Sequence, residues 1–116
     1  MAFSELETKR LEKIVGGFVE ERRPPLPVRS TVDIAFRIKK QSVEIFEVRP
    51  KWRGRAGEIT EQPIAKATYV RTRDCWKVYW MRADLKWHGY PPEPEVDSIE
   101  RFLAVVGADE QACFFG

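Results

Sequence analysis

Aromatic and basic side chains interleave across residues 69–90, where Tyr69, Trp76, Tyr79, Trp80, Trp87 and Tyr90 are mixed with Arg71, Arg73, Lys77, Arg82 and Lys86. Rings on a sheet face can stack nucleic-acid bases at about 1–3 kcal/mol each while cations beside them neutralise phosphates. A single-stranded nucleic acid or another polyanion is the ligand this mixture suits. Alternation sorts part of the stretch into two faces. Trp76, Val78, Trp80 and Arg82 share one, which reads as core, and Cys75, Lys77, Tyr79 and Met81 share the other, which reads as solvated. A second basic cluster, Arg49, Lys51, Trp52, Arg53 and Arg55, sets one tryptophan among charges, a combination found at anion sites and interaction hot spots. The candidate binding set is therefore Arg49, Lys51, Trp52, Arg53, Arg55, Arg71, Arg73 and Lys77, against the simpler reading of a solvated loop and a solvated strand face.

Residues suited to catalysis or metal binding are fewer. Asp33 and the triplet Glu47-Val48-Arg49 lie in successive alternating runs after a Glu-bearing helix, and the set resembles the metal-binding core of restriction-type nucleases. There two carboxylates hold a divalent ion and a lysine orients the attacking water. The pattern departs in having Arg49 at the lysine position, in lacking a proline before Asp33, and in being followed by further strands. Outward-facing Asp33 and Glu47 paired with Arg37 and Arg49 account for the same residues. His88 is the only histidine, so no Ser-His-Asp triad or Cys-His pair can be assembled without it. Cys75, His88 and Cys113, completed by Asp84 or Asp109, would form a zinc site only at spacings that match no short module, and His88 reads instead as a hydrogen-bonded structural residue. Neither phosphate-loop signature, G-x-x-x-x-G-K-[ST] or G-x-G-x-x-G, occurs. The expectation is a chain with no catalytic residue, no metal and no cofactor.

The elements that must position these side chains follow from periodicity. Leu11, Ile14, Val15, Phe18 and Val19 recur at helical spacing, which predicts an N-terminal amphipathic helix within residues 1–23, opened by a Ser4/Glu7 capping box and ended by Pro24, Pro25 and Pro27. Gly16 and Gly17 inside it imply either close packing of another element or a weakened helix. Residues 31–38 alternate, with Val32, Ile34, Phe36 and Ile38 on one side. Residues 42–49 begin in phase at Val43 and Ile45 and then shift to Phe46 and Val48, which predicts a bulge or two partly covered faces. Residues 50–63, with their Gly, Pro and basic side chains, predict a long basic loop. Residues 64–72, 75–82 and 85–90 are further strand-like runs. After Pro91, Pro92 and Pro94 a short helix opens at Asp97 or Ser98, buries Ile99, Phe102, Leu103 and Val106, and stops at Gly107. Phe114 and Phe115 in the tail read as docked. The fold class is α+β: an antiparallel meander of four or five strands with an N-terminal amphipathic helix and a short C-terminal helix.

With 116 residues and an aromatic share of 12%, the chain supports one small core and a single domain, residues 1–116. No run approaches the roughly 18 apolar residues of a membrane span, and Glu5 and Glu7 spoil a secretory leader. Two cysteines are too few for a disulfide scaffold. Together these predict a cytoplasmic protein and exclude collagen, coiled coil, disorder and membrane classes. The 20 Lys+Arg nearly balance 18 Asp+Glu, but unevenly: residues 49–86 hold ten against four, and residues 87–116 hold one against six. The asymmetry suits a basic face for an anionic partner, or opposite patches that attract one another within a chain or across a homodimer or protein–protein interface.

The runs FVEERRP, SVEIFEVRP and IAKATYVRTRDCWKVYWMRADLKWHGY, with the closing CFFG, resemble a small bacterial family described only as a domain of unknown function. The likeness covers about residues 14–116 and is strongest from Trp76 to Tyr90. It implies a bacterial, intracellular, stand-alone domain and carries no reaction, cofactor or partner onto these residues. The residues themselves favour a non-catalytic binding module for nucleic acid or another polyanion, with a protein-interaction or homodimer module and a degenerate nuclease-like core as the other readings.

Overall fold

Ser4 opens the first helix as the spacing predicts: its Oγ accepts the Glu7 N–H at 3.2 Å while Glu7 Oε1 accepts the Ser4 N–H at 2.8 Å. In the computed structural model, which describes residues 3–29, 31–50 and 58–109, this helix, α1, runs Glu5–Arg22 and buries Leu11, Val15 and Val19. Arg23 is extended, and Pro24 and Pro25 end the helix. A single helical turn, α2 (Leu26–Arg29), follows where the sequence suggested only a break. Prolines are tolerated there because the first N–H groups of a helix have no internal partner.

The strands are β1 (Asp33–Lys39), β2 (Ser42–Pro50), β3 (Ile59–Val70), β4 (Cys75–Met81), β5 (Trp87–Gly89) and β6 (Glu95–Val96), followed by helix α3 (Ile99–Ala108). They form one antiparallel sheet in the order β1-β2-β3-β4-β5, with β6 also on β4. The fold is thus α+β, with the meander and flanking helices expected from the sequence. The phase shift in β2 reflects burial on both faces, Ile45 on one and Phe46 on the other, while the bulge lies on the partner strand: Ile45 pairs with Ala65 and Phe46 with Pro63, leaving Ile64 of β3 as the extra residue. Pro63, which has no N–H to give, sits at this irregularity.

Two boundaries differ from expectation. The loop predicted over residues 50–63 is shorter, because pairing continues through Arg49↔Thr60 and Pro50↔Ile59, so residues 59–63 belong to β3. Their polar, exposed character hid a strand that projects beyond the helices. The proline-rich linker hides β6, since Trp76↔Val96 and Lys77↔Glu95 continue along the β4 edge that β5 occupies further on. Tyr90 N donates to Val78 O at 2.9 Å and Val78 N donates to Pro94 O at 3.0 Å, bridging the gap between the two short strands.

Both longer helices pack on one face of the sheet. Cross-strand register puts Val43, Ile45, Ala65, Ala67, Trp76, Val78 and Val96 on that face, where they join Leu11, Val15 and Val19 of α1 and Ile99, Phe102, Leu103 and Val106 of α3. The small Ala65 and Ala67 lie on the strand that, with β4 and β6, receives α3. α3 is capped by Ser98, whose Oγ accepts the Arg101 N–H at 3.1 Å, and ends at Asp109 in the left-handed conformation, two residues beyond the predicted Gly107.

Candidate binding surface

Among the described residues, the other sheet face holds no member of the core cluster. Its side chains are read from register: Arg37 of β1, Phe46 of β2, Lys66 and Thr68 of β3, Lys77, Tyr79 and Met81 of β4, and Trp87 of β5. Phe46 is buried yet lies outside the core cluster, because the Arg37 guanidinium covers its ring at 4.3 Å. Trp76 and Val78 are buried on the helix side, and Lys77 and Tyr79 are half-buried on this one, as the alternation around Cys75 predicts.

At one end of this face Lys66 Nζ lies 5.0 Å from the Tyr79 ring centre and 5.2 Å from that of Trp87. Lys66 and Tyr79 are cross-strand partners, so pairing itself sets this contact. Beside them Lys77, Tyr79, Gly89, Pro94 and Glu95 line a shallow hollow of about 250 Å³. Gly89 faces Tyr79 across the ladder and a Cβ there would meet nothing, which leaves one side of the hollow open. Lys66 and Lys77 make no ion pair among the described residues, whereas the carboxylates of this face are occupied: Glu44 and Glu61 by Arg37, Glu95 by Arg73, and Asp33 by Arg23.

The eight residues singled out in the sequence do not converge. Lys51, Trp52, Arg53 and Arg55 lie outside the described residues, in the segment between the paired ends Pro50 and Ile59. Arg49, beside that segment, is held by Glu47 at 2.8 Å. Arg71 and Arg73 follow the far end of β3, about ten strand residues or roughly 34 Å from Arg49's partner Thr60. Arg71 points to the helix side, where Glu7 takes it at 2.9 and 3.3 Å and its guanidinium lies 5.5 Å from the Tyr69 ring. That bond, reinforced by the Ser4 backbone, holds the Glu7 carboxyl down at about 2 and raises Arg71. Arg73 is paired with Glu95. Of the eight, Lys77 alone is placed among the described residues on the helix-free face without an ion pair. Lys66 and Trp87 were not in that set. The signal for Lys66 is its alternation with the buried Ala65 and Ala67, and for Trp87 it is the register of β5, which only pairing reveals.

The nuclease-like carboxylates are not brought together. Asp33 pairs with Val48 and Glu47 with Ile34, so the two side chains project from opposite faces. Asp33 accepts both Arg23 Nε at 3.0 Å and Nη2 at 2.8 Å, and also the Ile34 N–H at 2.8 Å. This charged, two-pronged bond raises the pKa of Arg23. Cys75 and His88 likewise fall on opposite faces, and Cys113 lies outside the described residues. His88 Nε2 and Asp84 Oδ2 are 2.8 Å apart, and Asp84 Oδ1 accepts the Lys86 N–H, which ties down the turn before β5 and lowers the Asp84 pKa. No three His, Cys, Asp or Glu side chains cluster as metal ligands among the described residues.

No helix of the described residues is long and apolar enough to cross a membrane. No curated protein and no solved structure matches the chain. The sequence model of one family matches residues 3–116, and the chain belongs to that family, a domain of unknown function designated DUF3024.

Proposed function

We propose that the protein is a non-catalytic binding module of the bacterial cytoplasm whose helix-free sheet face takes a single-stranded nucleic acid. The observation that carries this reading is Lys66 lying against both Tyr79 and Trp87, with the unpaired Lys77 alongside. A base entering the hollow beside Gly89 stacks on Tyr79 or Trp87, while Lys66 and Lys77 turn to the phosphates on either side. A duplex, whose bases are already stacked, offers this surface only its backbone. The carboxylates of the face do not oppose the polyanion strongly, because each is already paired with an arginine.

Fluorescence anisotropy of a labelled oligo-dT and of a duplex, titrated with the protein at two salt concentrations, tests the proposal. The single strand is expected to bind more tightly than the duplex and to weaken as salt rises. Tyr79→Ala or Trp87→Ala removes a stacking partner worth about 1–3 kcal/mol, a loss of about fivefold to 150-fold. Lys77→Ala weakens binding and lowers the salt slope by about one phosphate's share, whereas Arg49→Ala, on β2 beside the opposite end of β3, leaves it unchanged. Absence of binding, or binding indifferent to both ring substitutions, overturns the reading. A dimer in solution that Trp87→Ala dissociates would assign the face to a second copy of the chain instead.

A further inference from the structure

A second concavity lies on the helix side, at the end of the molecule remote from the β2–β3 projection. The start of α1, the β3–β4 turn and the start of α3 enclose about 240 Å³ there. Phe3, Tyr69 and Trp76 line it as an aromatic group, with ring centres 6.2, 5.7 and 5.1 Å apart and mutual tilts of 37°, 31° and 48°. Leu11, Ser98 and Ile99 complete the wall, and its charged groups are mainly acidic: Glu7, Asp74, Asp97 and Glu100, against Arg10 and the neighbouring Arg71. Each acid but one is engaged, Glu7 by Arg71, Glu100 by Arg10 at 3.2 Å, and Asp74 by the Tyr69 hydroxyl, which donates to it at 2.6 Å. Asp97 is exposed and has no partner among the described residues.

We propose that this cavity binds the head group of a small organic cation of the alkylammonium class, held against the aromatic wall with Asp97 as its counter-charge. Ring faces carry negative potential and attract alkylammonium groups, and a carboxylate beside them adds charge complementarity. One cation already lies beside the wall, the Arg71 guanidinium 5.5 Å from the Tyr69 ring, held there by Glu7. The α3 N-terminus does not make this an anion site. Ser98 Oγ already accepts a backbone N–H there, and Glu100 on the first turn, with Asp97 just before the cap, places negative charge at this end. At about 240 Å³ the space is smaller than the roughly 300–1,000 Å³ of drug-sized sites, which suits a head group rather than a large ligand.

Titration of the full chain with choline chloride, followed by the NMR signals of the Trp76 indole N–H and the Ser98 and Ile99 amides, tests the proposal. Choline is expected to shift these signals saturably, whereas 3,3-dimethylbutanol, which has the same shape without the charge, leaves them in place. Asp97→Asn, an exposed change that spares the fold, weakens choline binding by about threefold to tenfold. Phe3→Leu keeps apolar bulk, removes a ring and weakens it about as much. A trimethyllysine peptide run alongside separates the sources of the cation: tighter binding than choline points to a modified side chain, and equal or weaker binding to a free small molecule. No saturable shift at millimolar choline, or equal shifts from the neutral alcohol, overturns the proposal.

Discussion

Glu7 serves two neighbours at once, closing the capping box with Ser4 and holding Arg71 of the β3–β4 turn. In the unfolded chain its carboxyl titrates near 4.5, and in the folded protein at about 2. A lowered carboxyl pKa adds stability above the unfolded value and surrenders it as pH falls toward the folded one. The clip between α1 and the turn is therefore expected at full strength at neutral pH and to weaken progressively from about 4.5 to about 2. Urea unfolding across that range checks this, and Glu7→Gln should flatten the part of the acid-side decline that the wild type owes to this residue. Arg23 and Asp33 are expected to behave as one unit: Arg23→Ala and Asp33→Ala each lower the midpoint of thermal unfolding, and the double variant lowers it by less than the sum. Additivity would show that the pair contributes nothing of its own. That Asp33 and Glu47 are arginine-paired could be read in the sequence, but not that they project from opposite faces, nor that the partner of Asp33 is Arg23 rather than the expected Arg37, because Arg23 lies before the turn α2 and only the fold returns it to β1.

Elements were the most readable scale. The Ser4/Glu7 box, the inner stripe of α1 and the alternation of β1 and β4 follow from periods of 3.6 and 2, which backbone geometry imposes whatever the surroundings. The glycines of α1 were ambiguous, and the structure separates them. A Cβ at Gly16 would meet Phe36 at 3.6 Å, an ordinary contact, and one at Gly17 would meet nothing. Gly17→Ala is therefore expected to stabilise the protein by about 0.5–1 kcal/mol, read from the urea midpoint. Ser4→Ala should cost about 1 kcal/mol by the same measurement, through loss of its cap. Where pattern and pairing parted, at residues 59–63 and at β6, neither segment alternates in hydrophobicity. Each is a strand because a neighbour supplies the ladder.

On the scale of the whole molecule, one core lies between the helices and a single sheet face, and the β2–β3 projection extends past it. Amides of Val43, Ile45, Ala67 and Val78, on fully buried residues, are expected to exchange hydrogen most slowly, and those of residues 59–62 to exchange by local opening orders of magnitude faster. Uniform protection along β3 would contradict this division. Phe102→Ala, which empties the largest fully buried side chain, should cost about 3–5 kcal/mol, a large part of the roughly 5–15 kcal/mol that stabilises a domain. The order of the longer elements, the N-caps of α1 and α3 and the inward set of α3 were written in the sequence, because each depends on residues within a few positions of one another. Which cations are paired, which sheet face receives α1 and α3 and where a cavity opens were decided by tertiary structure. Arg71 meets Glu7 and Arg73 meets Glu95 only when distant segments pack, and roughly 34 Å of strand separates clusters that look adjacent in a list of basic residues. Charge is counted along a chain, but it acts across the distances that folding sets.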